Sequence, residues 1–347
     1  MKYNQPYGIS DPNAPYLNGN PSTGQMGSIP PAWSIEHDQR EIVAVIQYAA
    51  DNGLLDYNSE VCHNPSEADL TQLLKAIFGL SNRQRVVVPF TLYVNDATGN
   101  DLNTGLIGAP FKTIQKAVEV ASQYAPGPNT ITIKCAPGNY AGFTLPNYSI
   151  PPIWLEGDTT TPSAVVINGG VGAATPQWAV GCGSYNTLDI SYCKLQAQGG
   201  FHIGPGSSGI AAFTYATIRI RAGVTFGQCD LALLFSMGNI IVYNPFHVNG
   251  SVCDYVLCAL GGEITCGYYN QGLELFFDTA LACDAFAAAN GTGSQIGSWG
   301  VTFNGRSGVT GTRYASDWGA HIDTNVGGAT YFPGDSAGYA TNGGTYR

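Results

Sequence analysis

Charge is what this chain has least of. Only 11% of its 347 residues are Asp, Glu, Lys or Arg, against about a quarter in an ordinary globular domain. The 14 basic residues are scattered, and 24 acidic ones leave a net charge of −10. That balance argues against a nucleic-acid partner and against an anionic membrane surface. No apolar stretch approaches the roughly 20 residues of a membrane helix, so no membrane insertion is expected. Residues 1–16 have no apolar core and do not read as a signal peptide, so the chain is expected to be made and folded in a reducing cytoplasm. Nine cysteines are present, but none forms a CxxC pair, and Cys253, Cys258 and Cys266 lack zinc-ligand spacing. They are expected to be buried free thiols, with no metal and no cofactor.

In place of charge stand 45 glycines, 20 tyrosines and many Asn, Thr and Ser, with 44% hydrophobic residues. Uncharged polar residues and glycines suit tightly turned β structure, and the hydrophobic content excludes disorder. Residues 1–32 are rich in Pro, Gly and Asn, and the Pro30-Pro31 pair excludes a regular helix there. Residues 34–50 then carry the helical stripe Ile42, Val45, Ile46 and Ala49, with Ser34 expected as the cap. A second helix is expected from Ser66, with Asp69 completing a capping-box-like pair and Leu70, Leu73, Leu74 and Ile77 as its stripe. Two short helices do not bury such stripes alone and need each other or a partner. Further on, Tyr93–Val118 reads as a strand, a polar turn and a helix over 112–122 with Ile114, Ala117, Val118 and Ala121 on one face. The β-rich run Thr130–Cys135 follows. A short helix before a series of strands reads as a lid on the end of a stack.

An internal repeat lies between Val224 and Asp284. VTFGQCDLALLF is followed 24 residues later by VNGSVCDYVLCA and 24 later again by GLELFFDTALAC. In this alignment Cys229 stacks on Cys253, Asp230 on Asp254 and Asp278, and Ile240 on Ile264. A period near 24 without helical stripes is one coil of a parallel β-helix. Residues 130–325 would supply about eight coils, a rod of roughly 40 Å at ~4.8 Å per coil. Alternation along a strand puts the cysteines inside and the aspartates outside. A Cys229–Cys253 disulfide is strained between parallel strands, so a reduced stack is expected. Trp299, Phe303, Tyr314 and Trp318 are expected to close the C-terminal end.

These segments carry two resemblances. YVNDATGNDLNTG…APFKTIQKAV followed by ITIKCAPGNY resembles the opening of right-handed parallel β-helix proteins of the pectin-lyase-like kind, in which it caps the N-terminal end. IPPAWSIEHDQREIVAVI with PSEADLTQLLKAI is similar to the N-terminal region of tail-fibre or tailspike-like proteins of tailed bacteriophages and prophages. The final TNVGGATYFPGDSAGYATNGGTYR is similar to their endings. The resemblance implies a mainly β chain, a right-handed parallel β-helix with a small α-helical N-terminal adaptor, assembled as a homotrimer. It implies an arm and adaptor over 1–88, a β-helix over 89–325, and a Gly-rich tail over 326–347 that wraps the trimer or forms its tip. Trp33, Ile42, Ile46, Leu70 and Leu74 would join other phage tail or baseplate proteins. The location implied is the virion tail, assembled in the host cytoplasm, and the partner is bacterial surface polysaccharide.

Two sets of residues are candidates for chemistry. Asp230, Asp254 and Asp278 form a carboxylate column of the kind used in glycoside hydrolysis or cation-assisted lyase chemistry. The other reading, which is preferred, makes them turn caps. Trp154, Tyr185, Tyr192, Tyr215, Tyr243, Tyr255 and Tyr268 recur through the coils. Sugar rings present apolar C–H faces that stack on aromatic rings; alternatively these rings fill the core or a trimer interface. Arg219 and Arg221 alternate on one strand face; one reading has them meet a substrate acid, and the preferred one makes them a surface or intersubunit salt link. His37 and His63 read as surface or capping residues, and His202 and His247 as structural. The expectation is a tail fibre or spike that binds host surface glycan. The alternatives are a depolymerase of that glycan on the same scaffold and a purely structural tail component.

Overall fold

The computed structural model describes residues 7–347 except 12, 13, 16, 30, 31, 52–61, 67, 68, 70, 82–84, 171–176, 200–206 and 268–271, and describes no side chains for 32–38 and 78–81. The chain divides into two units, Met1–Gln84 and Arg85–Arg347, a few residues ahead of the expected boundary at 88.

In the first unit, α1 (Ala32–Asp51) begins directly after the Pro30-Pro31 pair, which places Ser34 inside the helix and not at its cap. The second helix, α2 (Gln72–Ser81), starts later than Ser66. The Asp69 carboxylate accepts from the Thr71 N–H at 2.8 Å, the Thr71 hydroxyl at 2.6 Å and Lys75 Nζ at 2.7 Å, so Asp69 braces the turn before this helix and does not enter it. The buried face also differs from the expected stripe. Gln72 and Ala76 are buried and Leu73 is partly so, while Leu74 and Ile77 are exposed. Against them pack Ile46, Ala49, Val45 and Cys62. This is a small core, and Ile42, Val43 and Tyr48 remain exposed beside it. Of the expected attachment residues, Leu70 and the Trp33 side chain lie outside the described residues.

The second unit is a parallel β-helix of three sheets with ten, eight and seven strands. The first sheet runs through Phe90–Val94, Ile131–Cys135, Ile153–Glu156, Thr187–Ser191, Thr217–Ile220, Asn239–Val242, Glu263–Cys266, Gln295–Ser298, His321–Asp323 and Thr345–Tyr346. Its strands alternate, as in Thr217-Ile218-Arg219-Ile220, so the pleat sends Ile218 and Ile220 inward and Arg219 outward. The register stacks Ile131, Ile153, Leu188, Ile218, Ile240, Ile264, Ile296 and Ile322 in one aliphatic column. Every member is buried, and each such side chain contributes about 1.5–3 kcal/mol of burial. No coil holds this core alone; each closes only against its neighbours.

Both ends of the column are covered. At the first, α3 (Ile114–Ala121) buries the expected Ile114, Ala117, Val118 and Ala121. The Thr113 hydroxyl caps it by accepting from the Lys116 N–H, and Asp101 accepts from the Lys112 and Thr113 N–H groups. At the other end Phe332 is wholly buried against Phe286 and Phe303, and Tyr346 stacks on Tyr314 with ring centroids 3.7 Å apart. Tyr339–Ala340 and Thr345–Tyr346 pair in parallel with the preceding coil. The Gly-rich residues 326–347 therefore build the last coil of the solenoid and are not a separate tip. Trp318 does not close this end; it is 62% exposed.

The 24-residue period holds where Asn239–Val242 meets Glu263–Cys266, with Ile240 on Ile264. It fails one coil later. Seven residues separate Cys266 from Glu274, where the coil before has three between Val242 and Phe246. This insertion lengthens the coil, and Cys253 pairs with Cys283, not with residue 277. The aspartate that follows Asp254 in the stack is accordingly Asp284. Asp278 lies in another part of the coil, where its N–H donates to Val248 O. All nine cysteines are free thiols. Cys229, Cys253 and Cys283 point inward as expected, and burial pushes the Cys229 thiol up to about 12.

Candidate functional site

The turns that lead into the first sheet present aromatic rings to solvent. Tyr185 lies in the turn before Thr187–Ser191, and Tyr215 in the turn before Thr217–Ile220. Thr187 pairs with Thr217, so the two turns are neighbours in successive coils. The rings stack with centroids 5.2 Å apart and planes 17° from parallel, yet they are 62% and 70% exposed. Both residues hold left-handed backbone, φ 66° and 63°. For a bulky L-residue such a conformation costs about 1–3 kcal/mol and persists only where surrounding structure imposes it. Buried Asn186 supplies that constraint at the first turn. Its amide donates to Pro146 O at 2.6 Å and accepts from the Ile150 N–H at 3.0 Å, stitching one turn to the turn before it. Tyr215 is fixed by a tight turn in which the Ala216 N–H donates to Phe213 O.

From this edge the outer face of the first sheet runs across to a second aromatic edge. Along one row Trp154, Asp189, Arg219 and Ile241 stand in register in successive coils. Trp154 is exposed and its indole N–H donates to the Ser191 hydroxyl at 2.9 Å. Asp189 accepts from Arg221 Nε at 2.6 Å and more loosely from an Arg219 Nη at 3.5 Å. The Arg221 guanidinium lies 4.3 Å over the Tyr243 ring centre, a cation–π contact. Tyr192, at the end of Thr187–Ser191, is the third tyrosine with left-handed backbone, φ 53°. Its ring lies over Gly223, where a Cβ would come within 2.5 Å of the ring. Glycine at 223 is therefore what lets that ring lie flat against the chain. Tyr185 to Tyr192 spans about 20 Å along the strand direction.

Five of the seven aromatic candidates, Trp154, Tyr185, Tyr192, Tyr215 and Tyr243, thus share this face and its edges. Tyr255 belongs to the second sheet, and Tyr268 lies outside the described residues. Two residues of the same kind were not legible as candidates. Tyr148, 51% exposed, occupies the corresponding turn one coil earlier, and exposed Trp318 with φ 53° occupies it near the far end. The recurrent triplets Asn147-Tyr148-Ser149, Ser184-Tyr185-Asn186 and Thr214-Tyr215-Ala216 were the available signal.

The second sheet carries a groove of about 440 Å³ on its outer side, lined by Tyr255, Cys258, Ala285, Ala288, Asp284, Asn290, Asp317 and Tyr339 among others. Asp230 and Asp254 are bonded through their backbones, Asp254 N–H to Asp230 O. Asp284 follows one coil on, in the strand Leu281–Asn290. Burial is the chief cause that raises the Tyr255 phenol, with Cys258, Asp254 and Asp284 adding to it. Asp278 is on neither of these faces. Its carboxylate meets His247 Nδ1 at 3.0 Å, and His247 stacks on Phe276 with centroids 4.6 Å apart. His202 and the side chain of His37 lie outside the described residues. Among the described residues no group of three His, Cys, Asp or Glu side chains is placed to hold a metal ion, and no helix is long and apolar enough to cross a membrane.

Comparison with known proteins adds no relative: no protein-family description, no curated protein and no solved structure matches this chain.

Proposed function

We propose that this chain binds a bacterial surface glycan along the outer face of the first sheet. The observation that carries the reading is the Tyr185–Tyr215 stack, two exposed rings held in left-handed backbone in successive coils. An exposed aromatic shelf offers a flat apolar surface to sugar C–H faces. The neighbouring Ser, Asp and Arg side chains supply hydroxyl-binding donors and acceptors. Strain retained at a solvent-exposed ring has no use in packing, and strained residues cluster at binding sites. The setting we infer is a homotrimeric tail fibre or spike of a tailed phage or prophage, joined to other tail proteins through residues 1–88. This rests on the sequence resemblances of the two ends of the chain. Three equivalent faces would turn weak sugar binding into avidity.

The experiment is retention of the full chain on an array of bacterial surface polysaccharides, wild type beside a Tyr185→Ala/Tyr215→Ala variant. Loss of retention in the variant supports the reading, and undiminished retention removes this face from it. A second reading is depolymerisation of the glycan in the second-sheet groove, favoured by Asp284 on its wall and Asp254 one coil away. Shortening of the bound polymer, abolished by Asp254→Asn, would establish that reading in place of simple binding.

A further inference from the structure

The geometry points to an acidic sugar as the ligand of the first-sheet face, with its carboxylate received by Arg219 and Arg221. This inference rests on the reading of that face as a glycan site and adds the class of glycan. The chain carries only 14 basic residues and a net charge of −10, yet two arginines stand side by side on one strand edge with a single carboxylate, Asp189, between them. Within this cluster the two guanidinium groups outnumber the one carboxylate that holds them. The nearby cation Lys134 does not compete for Asp189: it pairs with Glu156 at 2.8 Å and also faces Asp158.

The arginines are also under-used. Arg219 reaches Asp189 at only 3.5 Å, and its Nε–H is buried without an acceptor among the described residues. An orphaned buried donor costs free energy, which the Arg219 guanidinium recovers if it turns toward a bound acceptor. Arg221 uses its Nε for Asp189 and is braced over Tyr243, which leaves its two Nη groups without hydrogen-bond partners among the described residues. A guanidinium edge presents two parallel N–H donors that match the two oxygens of a carboxylate. Pre-positioning by Asp189 and Tyr243 lowers the ordering cost of that contact. Trp154, one register position from Asp189, offers the ring surface on which the same sugar would lie. The acidic character of the rest of the chain does not forbid this, because salt screens charges beyond about 8 Å at physiological ionic strength.

The test uses the full chain and an array of acidic bacterial capsule polysaccharides, each printed beside its carboxyl-reduced form. Wild-type protein needs no mutation for this comparison, so folding is not in question. The expected result is retention of one or more acidic forms, with at least 10-fold weaker retention of the reduced partner and a fall in affinity as salt rises. Arg221→Gln should weaken the acidic form about 10-fold and leave the reduced form unchanged, while Arg221→Lys should recover only part of the loss. Equal retention of acidic and reduced forms, lost in Tyr185→Ala/Tyr215→Ala, overturns the acidic inference and leaves the glycan reading standing. Retention of neither form overturns both.

Discussion

Replacing Tyr185 by glycine and, separately, by alanine isolates the strain built into the aromatic shelf. Both variants lose the stack with Tyr215, which rings at this separation make worth about 0.5–1.5 kcal/mol. They differ in the backbone. At φ 66° alanine still bears the left-handed penalty of about 1–2 kcal/mol, and glycine does not. Glycine loses about 0.5–1 kcal/mol through the greater freedom of its unfolded chain. The balance leaves the glycine variant at least as stable as the alanine variant, by up to about 1.5 kcal/mol, the reverse of the order in a regular strand. Urea unfolding reads this as an equal or higher midpoint for Tyr185→Gly at an unchanged slope. Retention on glycan should fall equally in the two variants, because both remove the ring. An alanine variant more stable than the glycine variant by about 1 kcal/mol would refute the strain argument. It would also remove the reason for treating this turn differently from any other.

Three further outcomes follow from the packing. Gly311→Ala should abolish folding or cost more than about 3 kcal/mol, since φ is +115° and a Cβ there would sit 1.7 Å from Cys283 O; soluble yield and the melting temperature check this. Phe332→Ala should cost about 3–5 kcal/mol, as for other wholly buried phenylalanines, and deletion of 326–347 should lower the melting temperature at least as far; a deletion that melts like wild type would mean the last coil is dispensable. The inward thiols give a pH dependence. Burial pushes Cys193, Cys229 and Cys266 up to about 12 from an ordinary 9.0, so the folded state holds protons that the unfolded state releases. Their contribution is complete below pH 9 and falls away as pH rises from about 9 toward 12. Urea midpoints across that range should decline, and a thiol reagent at pH 8 should react slowly with the native chain and fully after denaturation.

Much of the solenoid was legible because its signal is local. Strands such as Thr217-Ile218-Arg219-Ile220 show the alternation directly, and the helix at Ile114–Ala121 announces its buried face. What the sequence hid was set by loop length. The pleat fixes which residues stack, but an insertion between Cys266 and Glu274 changes how far apart in sequence they stand, so Asp278 was aligned where Asp284 belongs. The start of α2 was misplaced because Asp69 engages Thr71 in the turn before the helix and does not enter it. The Gly-rich 326–347 looked like a tail because few apolar residues mark it, yet Phe332 and Tyr346 suffice to seal the stack. The aromatic candidates were recognisable by type. Their convergence on one face was not, because it depends on which coil position each turn occupies, and Tyr148 was overlooked for that reason.

The central claim, that the outer face of the first sheet is a glycan site built on Tyr185 and Tyr215, is tested most directly by one comparison. Wild type and the Tyr185→Ala/Tyr215→Ala variant, matched for melting behaviour and oligomeric state, are passed over the same immobilised bacterial surface polysaccharides. The account predicts that the wild type is retained by at least one of them and that the variant runs through at least 10-fold more weakly held. Equal retention of both, or retention of neither, would contradict it.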